Sequence, residues 1–445
     1  MQETAPLISN HSPQAPLLWH LGKAISAGAF LAQARALADR LPVAGPVFNL
    51  CEDRYAFMLA FAAALLRGHT SLLPPNRSVQ VIREIAADYP GSCILHDQND
   101  SPPDLPSLRV ELADAEPVTD LAAAVIPRSL LAALVFTSGS TGRARPNAKT
   151  WDSLCRSNNL AVACFLADLG QPANIIATVP PQHMYGLETS VLMPWQGGAA
   201  VHSGRPFFPA DVRDALQQVA APRVLVTTPV HLRACVKTGI RPPPMSFIIS
   251  ATAPLAPELA REAEDLFDAP VREIYGCTEV GSMASRRTLD GATWQLYEGM
   301  SMELREGRAW VSGPQLATPV ALQDVIELID DRHFILRGRD SDMLNIAGKR
   351  ASLADLNCRL QEIEGVVDGV IFLPESGGTP AARVAALVVA PTLTRESLLA
   401  ALAEKMDPAF LPRPLLLVDT LPRGETSKLP RQALEEMLRR EAARA

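Results

Sequence analysis

Short apolar runs of strand length alternate with helical patterns along most of the chain before Trp294. Residues 46–50 are typical of a buried strand, and residues 56–69, AFMLAFAAALLRGH, predict an Ala-rich buried helix. Residues 22–40 space their apolar side chains at helical intervals and predict another helix. Because strands joined through helices usually lie parallel, the alternation predicts an α/β domain of parallel sheets flanked by helices.

The pattern changes near Trp294 to short strand-like segments separated by Gly or Asp turns, which predicts a small β subdomain over 294–338. Beyond it, helix and strand patterns alternate again over the length of a small domain. The polar run Gly338 to Asp342 between them is typical of a hinge that absorbs backbone rotation. We therefore expect an N-terminal domain over 1–338, a hinge at 339–341 and a small mobile α+β domain over 342–445.

A loop rich in hydroxyl groups and glycine follows a predicted buried strand over 131–136. Residues 137–142 read TSGSTG, whose hydroxyls and curled backbone are suited to cradle an anion. Arg143, Arg145 and Lys149 follow and can neutralise phosphate charge. The loop is not a Walker A motif, since no G-x-x-x-x-G-K-[ST] occurs. A Ser/Gly linker is the alternative, but a linker seldom leaves a buried strand with three cations behind it, so the loop predicts a nucleotide site.

Composition excludes several classes of protein. A net charge of −7 disfavours nucleic-acid binding by bulk electrostatics. The seven cysteines form no C-x-x-C pair and are typical of reduced thiols. The N-terminus lacks a basic-then-apolar signal pattern, and the apolar stretch over 56–66 is shorter than the ~20 residues that span a bilayer. We expect a cytoplasmic protein with no membrane span and no nucleic-acid partner.

Residues 179–187, VPPQHMYGL, follow a predicted strand. The two prolines end the strand and present His183 and Tyr185 where α/β proteins place ligands. A Pro-rich turn with one hydrogen-bonded histidine explains the same residues, and the segment alone does not decide between the two.

Two more turns follow predicted strands. In Tyr275 to Glu279, YGCTE, Gly276 allows a flat ligand to approach the backbone, and Glu279 offers a hard oxygen for Mg²⁺ held by phosphates. Ser250 to Thr252 form a small-residue turn that borders a planar ligand or merely precedes a helix at Pro257. A turn with an exposed glutamate is the alternative for the first.

Two single residues complete the candidates. Asp324 lies in the strand pattern LQDVIEL, where its carboxylate could bind the ribose hydroxyls of a nucleotide or simply face solvent. Lys428 lies in the loop PRGETSKLPR, and a loop lysine is usually only solvated unless other motifs give it a role.

In this order, the stretches FTSGSTG, PPQHMYG, YGCTE, LQDVIEL, GRDSD with GKR, and PRGETSKLPR resemble the successive core motifs of the adenylate-forming superfamily. That superfamily comprises acyl- and aryl-CoA synthetases, nonribosomal adenylation domains and luciferases, and the resemblance spans about residues 131–431. It implies an AMP-forming acid–thiol ligase that uses ATP and Mg²⁺. A carboxylate attacks the α-phosphate of ATP and releases pyrophosphate, and the thiol of coenzyme A or of a carrier-protein phosphopantetheine then displaces AMP.

The resemblance also implies roles for residues. Lys428 would bridge the carboxylate and the α-phosphate, Thr141 and Glu279 would place Mg²⁺, and His183 would border the acid and gate the thiol. Asp324 and Arg339 would hold the ribose, and Tyr275 would stack on adenine. The implied catalytic residues are Lys428, His183 and Glu279. The implied nucleotide contacts are Thr137, Ser138, Gly139, Ser140, Thr141, Gly142, Lys149, Ser250, Ala251, Thr252, Tyr275, Gly276, Cys277, Thr278, Asp324 and Arg339. The implied acid contacts are His183, Tyr185, Gly186, Ser250, Gly276, Ser282 and Met283.

Three departures from the family pattern bear on these roles. The phosphate loop continues as RARP where the family has Pro-Lys-Gly, so either Arg145 or Lys149 could serve the phosphates. Ser341 occupies a hinge position where the family often has Asp or Lys. Ser427 replaces the glycine that commonly precedes the lysine.

The late Lys-Thr-Trp over 149–151 and the stretch TTPVHLRA over 227–234 resemble the hydroxybenzoate-activating ligases of aryl-polyene and xanthomonadin-type pigment pathways. Those ligases load an acyl carrier protein. We therefore expect 3- or 4-hydroxybenzoate as the small aromatic acid and a carrier protein as the partner. An aryl- or fatty acyl-CoA synthetase is the nearest alternative, and a non-catalytic nucleotide-binding scaffold is an alternative of another class.

Overall fold

The computed structural model describes residues 3–98, 105–112, 115–138, 144–339, 343–346, 349–374, 383–423 and 429–442. The chain divides into two compact units. The first comprises Met1–Ser301 and Val311–Val320, and the second comprises Met302–Trp310 and Ala321–Ala445. Among the described residues, no helix is long and apolar enough to cross a membrane.

The first part of the first unit contains ten strands and three helices within its described residues. The strands are β1 (Thr4–Pro6), β2 (Pro16–His20), β3 (Lys23–Ser26), β4 (Val47–Asn49), β5 (Ser71–Leu73), β6 (Cys93–His96), β7 (Ser107–Arg109), β8 (Val125–Pro127), β9 (Leu131–Ser138) and β10 (Ala144–Thr150). The helices are α1 (Ala27–Arg40), α2 (Arg54–Arg67) and α3 (Val79–Asp88).

Strands in the order β10-β9-β5-β4-β6-β7 form the N-terminal sheet. All neighbouring pairs run parallel except β9 and β10, which are antiparallel. Phe48, Leu72 and Leu134 from three of these strands belong to one buried apolar cluster. Every residue of α2 from Arg54 to Leu65 is buried, as its run of apolar residues predicts.

The rest of the first unit alternates strands and helices. The strands are β11 (Asn174–Ala177), β12 (Ala200–His202), β13 (Arg223–Thr227), β14 (Phe247–Ser250), β15 (Val271–Cys277), β16 (Gly281–Arg287) and β17 (Thr293–Leu296). The helices are α4 (Trp151–Phe165), α5 (Met184–Leu187), α6 (Met193–Gly197), α7 (Pro209–Gln217), α8 (Pro229–Thr238) and α9 (Pro257–Phe267). A π-helix over Glu188–Leu192 joins α5 to α6, and short 3-10 helices cover Ala167–Leu169 and Thr288–Asp290.

Within this unit, strands in the order β17-β16-β15-β14-β13-β11-β12-β2-β3 form the central sheet. Its middle strands, from β15 to β2, run parallel, and the pairs at both ends are antiparallel. Ile176, Leu225, Ile248 and Val271 bury the centre of the sheet against the helices. The prediction of an α/β fold with parallel sheets between helices is confirmed.

The predicted helix over 22–40 is partly wrong. Residues Lys23–Ser26 form β3, which pairs with β2 in a hairpin whose turn has positive φ at Leu21 and Gly22. The helix begins only at Ala27, because the Ser26 hydroxyl caps it by accepting from the Ala29 backbone N–H.

The second unit and its junction contain short strands and three further helices among their described residues. The strands are β18 (Ser301–Arg305), β19 (Arg308–Ser312), β20 (Val320–Ala321), β21 (Asp324–Leu328), β22 (His333–Arg339), β23 (Met343–Ile346), β24 (Lys349–Ser352), β25 (Asp368–Phe372), β26 (Ala385–Val389) and β27 (Leu415–Leu417). The helices are α10 (Leu353–Gln361), α11 (Arg395–Lys405) and α12 (Arg431–Ala442), with a 3-10 helix over Pro408–Phe410.

In the second unit, β21 pairs with β22 and β23 with β24 as antiparallel hairpins, and β25-β26-β27 form a small sheet. Leu360 of α10, Leu387 of β26 and Leu402 of α11 are fully buried, so helices and sheet enclose apolar cores of their own. An α+β organisation of this part of the chain agrees with the sequence pattern.

Candidate active site

Three predicted motifs follow neighbouring strands of the central sheet. The VPPQHMYGL segment follows β11, Ser250 ends β14, and Tyr275–Cys277 end β15. Because β11, β13, β14 and β15 are parallel, their carboxyl ends meet at one edge of the sheet. The fold therefore brings these motifs to the edge where α/β proteins bind ligands.

His183 is half-buried and lies immediately before α5. The helix packs back on the proline turn so closely that a Cβ on Gly186 would lie 2.0 Å from the Pro180 carbonyl oxygen. Only glycine fits there. Close packing thus accounts for Gly186, which we expected to contact the acid.

Tyr185 ties this helix to the strand ends. Its hydroxyl lies 3.0 Å from the Thr227 carbonyl oxygen and 3.1 Å from that of Ile249. Burial raises the pKa of Tyr185, so the phenol stays neutral. The hydroxyl is therefore occupied by backbone acceptors, and its ring is the part that remains for an acid.

The turn after β14 is strained. Thr252 has φ of +79°, a left-handed conformation that a β-branched residue rarely adopts. Ser250 is fully buried, and its hydroxyl has no hydrogen-bond partner among the described residues. Strain together with an unpartnered buried hydroxyl is typical of a ligand-binding turn.

The YGCTE motif forms the end of β15 and the turn to β16. The Tyr275 ring is buried and its centroid lies 5.7 Å from that of Trp294. A Cβ on Gly276 would lie 2.4 Å from the Gly281 carbonyl oxygen, so this glycine allows the two strands to approach closely. Glu279 itself is exposed.

Cys277, between these residues, is a poor nucleophile. Burial, and next to it the negative charge of Glu279, raise the pKa of the Cys277 thiol to about 12.

Two buried hydroxyls lie beyond the turn. Neither Ser282 nor Tyr297 has a hydroxyl partner within hydrogen-bond geometry among the described residues. Burial raises the pKa of Tyr297 and of Glu188, and the nearby Ser282 hydroxyl opposes both shifts, which places it between the two. Met283 is fully buried beside them in the chain.

Glu188 is a site residue that the sequence analysis missed. It begins the π-helix, is 2% exposed, and its carboxylate accepts from the Ser157 hydroxyl at 2.7 Å and from the Ser282 backbone N–H at 3.0 Å. A glutamate inside the apolar run LETSVLM was the available signal, but it was interpreted as the polar side of a helix.

Lys149 is buried at 5% exposure, and its ammonium donates to the Glu279 carbonyl oxygen at 2.8 Å. Burial lowers the pKa of Lys149, and the negative charge of Glu188 opposes that shift. Lys149 therefore belongs to the motif that carries Glu279.

Arg54 is a second residue that was missed. It lies at the start of α2 with 1% exposure, and its guanidinium donates to the carbonyl oxygens of Ala177 at 2.9 Å and Val179 at 3.0 Å, and to the Ser190 hydroxyl. These contacts hold the chain just before the proline turn that leads to His183.

In the second unit, the residues expected at the ribose are brought together. Asp324 begins β21 and lies opposite Arg339 of β22 in the antiparallel register. The predicted phosphate-loop residues Gly139, Ser140, Thr141 and Gly142, and the predicted catalytic Lys428, lie outside the described residues.

Comparison with known proteins decides the family. Residues 12–332 match the family model of the AMP-binding enzymes. The chain belongs to the AMP-binding enzyme family. This confirms the resemblance to adenylate-forming enzymes and supports the predicted class, an AMP-forming acid–thiol ligase.

Relatives of this AMP-binding enzyme include a 4-coumarate–CoA ligase of Rhodobacter capsulatus, 31% identical over 54% of this chain and 60% of that protein. A 4-coumarate–CoA ligase of Halorhodospira halophila is 26% identical over 66% of this chain and 73% of that protein. The first match thus spans less than two thirds of its relative.

Among solved structures, the O-succinylbenzoate coenzyme A synthetase of Bacillus subtilis in complex with AMP superposes with a TM-score of 0.81. It covers 97% of this chain and 98% of its own, at 17% identity. This likeness shows the fold.

The residues present fit ATP and Mg²⁺. Glu279 exposes a hard carboxylate oxygen at the ligand edge of the central sheet, which is the donor type that Mg²⁺ prefers. Asp324 offers an acceptor pair for ribose hydroxyls. Both observations agree with the roles expected for an AMP-binding enzyme.

Proposed function

We propose that this AMP-binding enzyme activates a small aromatic carboxylic acid, such as 3- or 4-hydroxybenzoate, by adenylation. ATP is cleaved to pyrophosphate and an acyl-adenylate, and the acyl group then passes to a phosphopantetheine thiol with release of AMP. The acceptor is an acyl carrier protein or coenzyme A.

The observation that carries the aromatic substrate is the set of uncharged hydroxyls buried around the ligand edge. Ser250, Ser282 and Tyr297 are each buried with a hydroxyl that has no partner among the described residues. A buried polar group without a partner costs about 1–3 kcal/mol, and a ring hydroxyl of the substrate would supply one. A fatty acyl tail would leave these groups unpaired, so the same pocket would reject it.

The relatives support an aromatic acid. The two bacterial relatives are named for 4-coumarate and the superposed structure for O-succinylbenzoate, and both are aromatic carboxylates. The same names favour coenzyme A as the acceptor, whereas the late Lys-Thr-Trp resemblance favours a carrier protein.

The chain's own residues supply binding and charge. His183 borders the acid, Glu279 would hold Mg²⁺ on the phosphates, and Asp324 with Arg339 would hold the ribose. Bound Mg²⁺ would neutralise phosphate charge. Lys428 stabilises the charge that develops between carboxylate and α-phosphate, a preorganised contact of the kind that contributes most to catalysis.

The second half-reaction needs Lys428 to leave. We propose that rotation of residues 342–445 about the hinge at 339–341 exchanges Lys428 for a surface that admits the thiol. His183 then gates the thiol.

Carboxylate-dependent ATP–pyrophosphate exchange tests this function. The panel contains 3- and 4-hydroxybenzoate, benzoate, cinnamates, and medium and long fatty acids. Exchange led by hydroxybenzoates supports the proposal, and exchange led by fatty acids contradicts the aromatic pocket while keeping adenylation. No exchange with any acid favours a non-catalytic nucleotide-binding scaffold.

Two further measurements complete the test. Lys428→Ala is expected to abolish exchange while ATP binding changes little, and full exchange by that variant would contradict the mechanism. Thioester formation with coenzyme A against holo-acyl carrier protein identifies the acceptor.

A further inference from the structure

Two buried side chains of opposite charge hold the backbone of the turn that carries Glu279. The Lys149 ammonium donates to the Glu279 carbonyl oxygen at 2.8 Å. The Glu188 carboxylate accepts from the Ser282 backbone N–H, with N–O distances of 3.0 and 3.2 Å. Between residues that the structure describes, no direct ion pair joins Lys149 to Glu188. Each charge therefore acts on one end of the turn.

The turn is shaped around the carboxylate. The Ser157 hydroxyl donates to Glu188 at 2.7 Å and fixes it from the opposite side. Gly281 has φ of +91°, and a Cβ there would lie 2.6 Å from the nearer Glu188 oxygen. Any larger residue at 281 would displace Glu188.

Burying two charges is an expensive way to hold a loop. Each desolvated ion costs several kcal/mol unless it is well compensated, and apolar packing can make a loop equally rigid. Here both charges address main-chain groups, while the Glu279 side chain stays exposed. The arrangement fixes the backbone and leaves the Glu279 carboxylate available.

The strand register separates Lys149 from the phosphate loop. Arg145 lies opposite Thr137, the residue that opens the loop, whereas Lys149 lies opposite Ala133. Four residues of strand separate the two cations, about 13 Å at about 3.3 Å per residue. Arg145 is exposed and Lys149 is buried.

We propose that Lys149 and Glu188 are positioning residues that preorganise Glu279 for Mg²⁺, and that Arg145 is the cation that serves the phosphates. This rests on the proposed function, in which Glu279 holds Mg²⁺. Residues that orient a metal ligand without touching the metal typically change metal affinity by about 10–100-fold.

Calorimetric ATP binding, with and without Mg²⁺, tests this on the full chain. Lys149→Met keeps the length of the side chain and removes its charge, and Lys237→Met on the exposed side of α8 is the matched control. We expect Lys149→Met to weaken Mg·ATP binding about tenfold and to leave metal-free ATP binding within about twofold. Lys237→Met should change neither, and Lys149→Arg should recover most of the loss.

Several outcomes overturn the proposal. Equal weakening of metal-free ATP binding would show that Lys149 contacts phosphates. Unchanged binding in both conditions, with only a lower melting temperature, would show a purely structural role. Wild-type protein that binds ATP equally with and without Mg²⁺ would remove the metal from the site.

Glu188→Gln keeps the test decisive if Lys149→Met does not fold. This isosteric change removes the charge that faces the Ser282 N–H, and Mg·ATP binding is expected to weaken several-fold in the same direction. Unchanged Mg·ATP binding in Glu188→Gln would contradict the proposal.

Pyrophosphate exchange separates this proposal from the proposed function. In Lys149→Met the half-saturating Mg²⁺ concentration should rise about tenfold while KM for the acid stays within about twofold. A wild-type protein without exchange for any acid would refute the function, yet the binding measurement, which uses no acid, would still decide the role of Lys149.

Discussion

Arg54 and Lys149 are two buried cations that reach a backbone carbonyl beside a motif of the active site. Arg54 holds the chain before the His183 turn, and Lys149 holds the turn of Glu279. Their electrostatic surroundings differ. The described groups that accept from Arg54 are all neutral, and burial, followed by the positive charge of Arg205, lowers its pKa to about 9. Lys149 lies near Glu188, whose charge favours the ammonium.

The difference indicates two ways to keep a buried cation. A guanidinium can satisfy several separate acceptors at once, so Arg54 stabilises the fold through hydrogen bonds. An ammonium with one described acceptor depends more on a nearby opposite charge. Arg54 should therefore matter for stability independently of Lys149, whereas Lys149 and Glu188 should act as a pair.

The largest expected effect is that of Arg54→Met. It leaves two carbonyls and one hydroxyl without their donor, which we expect to lower the free energy of unfolding by about 3 kcal/mol in denaturant titrations. Arg54→Lys should recover part of this loss. Arg67→Met, at the exposed end of the same helix, is the control and should stay within about 0.5 kcal/mol. An Arg54→Met protein as stable as wild type would contradict the hydrogen-bonding role.

A double-mutant cycle sharpens the comparison. Lys149→Met and Glu188→Gln should be non-additive in unfolding free energy, with a coupling of about 1–2 kcal/mol, because each charge compensates the other. Arg54→Met and Lys149→Met share no described partner and should add within about 0.5 kcal/mol. Additivity in the first pair would remove the distinction between the two cations.

The third expected effect depends on pH. Burial raises the pKa of Glu188 above the ordinary 4.5, so the folded protein holds this proton more tightly than the unfolded chain. The resulting stabilisation is complete below pH 4.5 and is lost as pH rises through the folded pKa. Wild type should therefore lose stability relative to Glu188→Gln between pH 4.5 and the raised value. Parallel stability curves for the two proteins would contradict this.

The smallest expected effect is that of Ser282→Ala. Its hydroxyl has no described partner, so unfolding free energy should change by less than about 0.5 kcal/mol. If Ser282 binds a ring hydroxyl, the preference for hydroxybenzoate over benzoate in kcat/KM should fall about fivefold. An unchanged ratio would show that the ring hydroxyl is bound elsewhere.

Local patterns made much of the fold predictable. Apolar strand runs and helical spacing indicated the parallel sheets, and the motifs at 179–187, 250–252 and 275–279 were correctly expected to end strands. Strand β10 was missed because its sequence ARPNAKT is polar and contains Pro146. It is tolerated there because β10 is the edge strand of its sheet.

What the sequence did not reveal depends on contacts between distant segments. Strand β2 pairs with β12, which follows it by more than 180 residues, and no local pattern encodes such a pairing. Arg54 and Glu188 are both buried charges, and only the folded packing of α2 and the π-helix shows which groups they contact. Lys149 was singled out as a cation, but its contact with Glu279 spans two sheets.

The π-helix over Glu188–Leu192 has a consequence for changes in chain length. A π turn accommodates one residue more than an α turn, so this helix contains a residue that a regular α-helix would not hold. Deleting one residue there would close the segment as an α-helix and rotate everything after it by about 100°. Trp195, whose ring centroid lies 5.8 Å from that of Phe61, would leave its place between the layers. In this helix a single-residue deletion should therefore be far more damaging than most single substitutions, because it separates Glu188 from the packing that anchors α6.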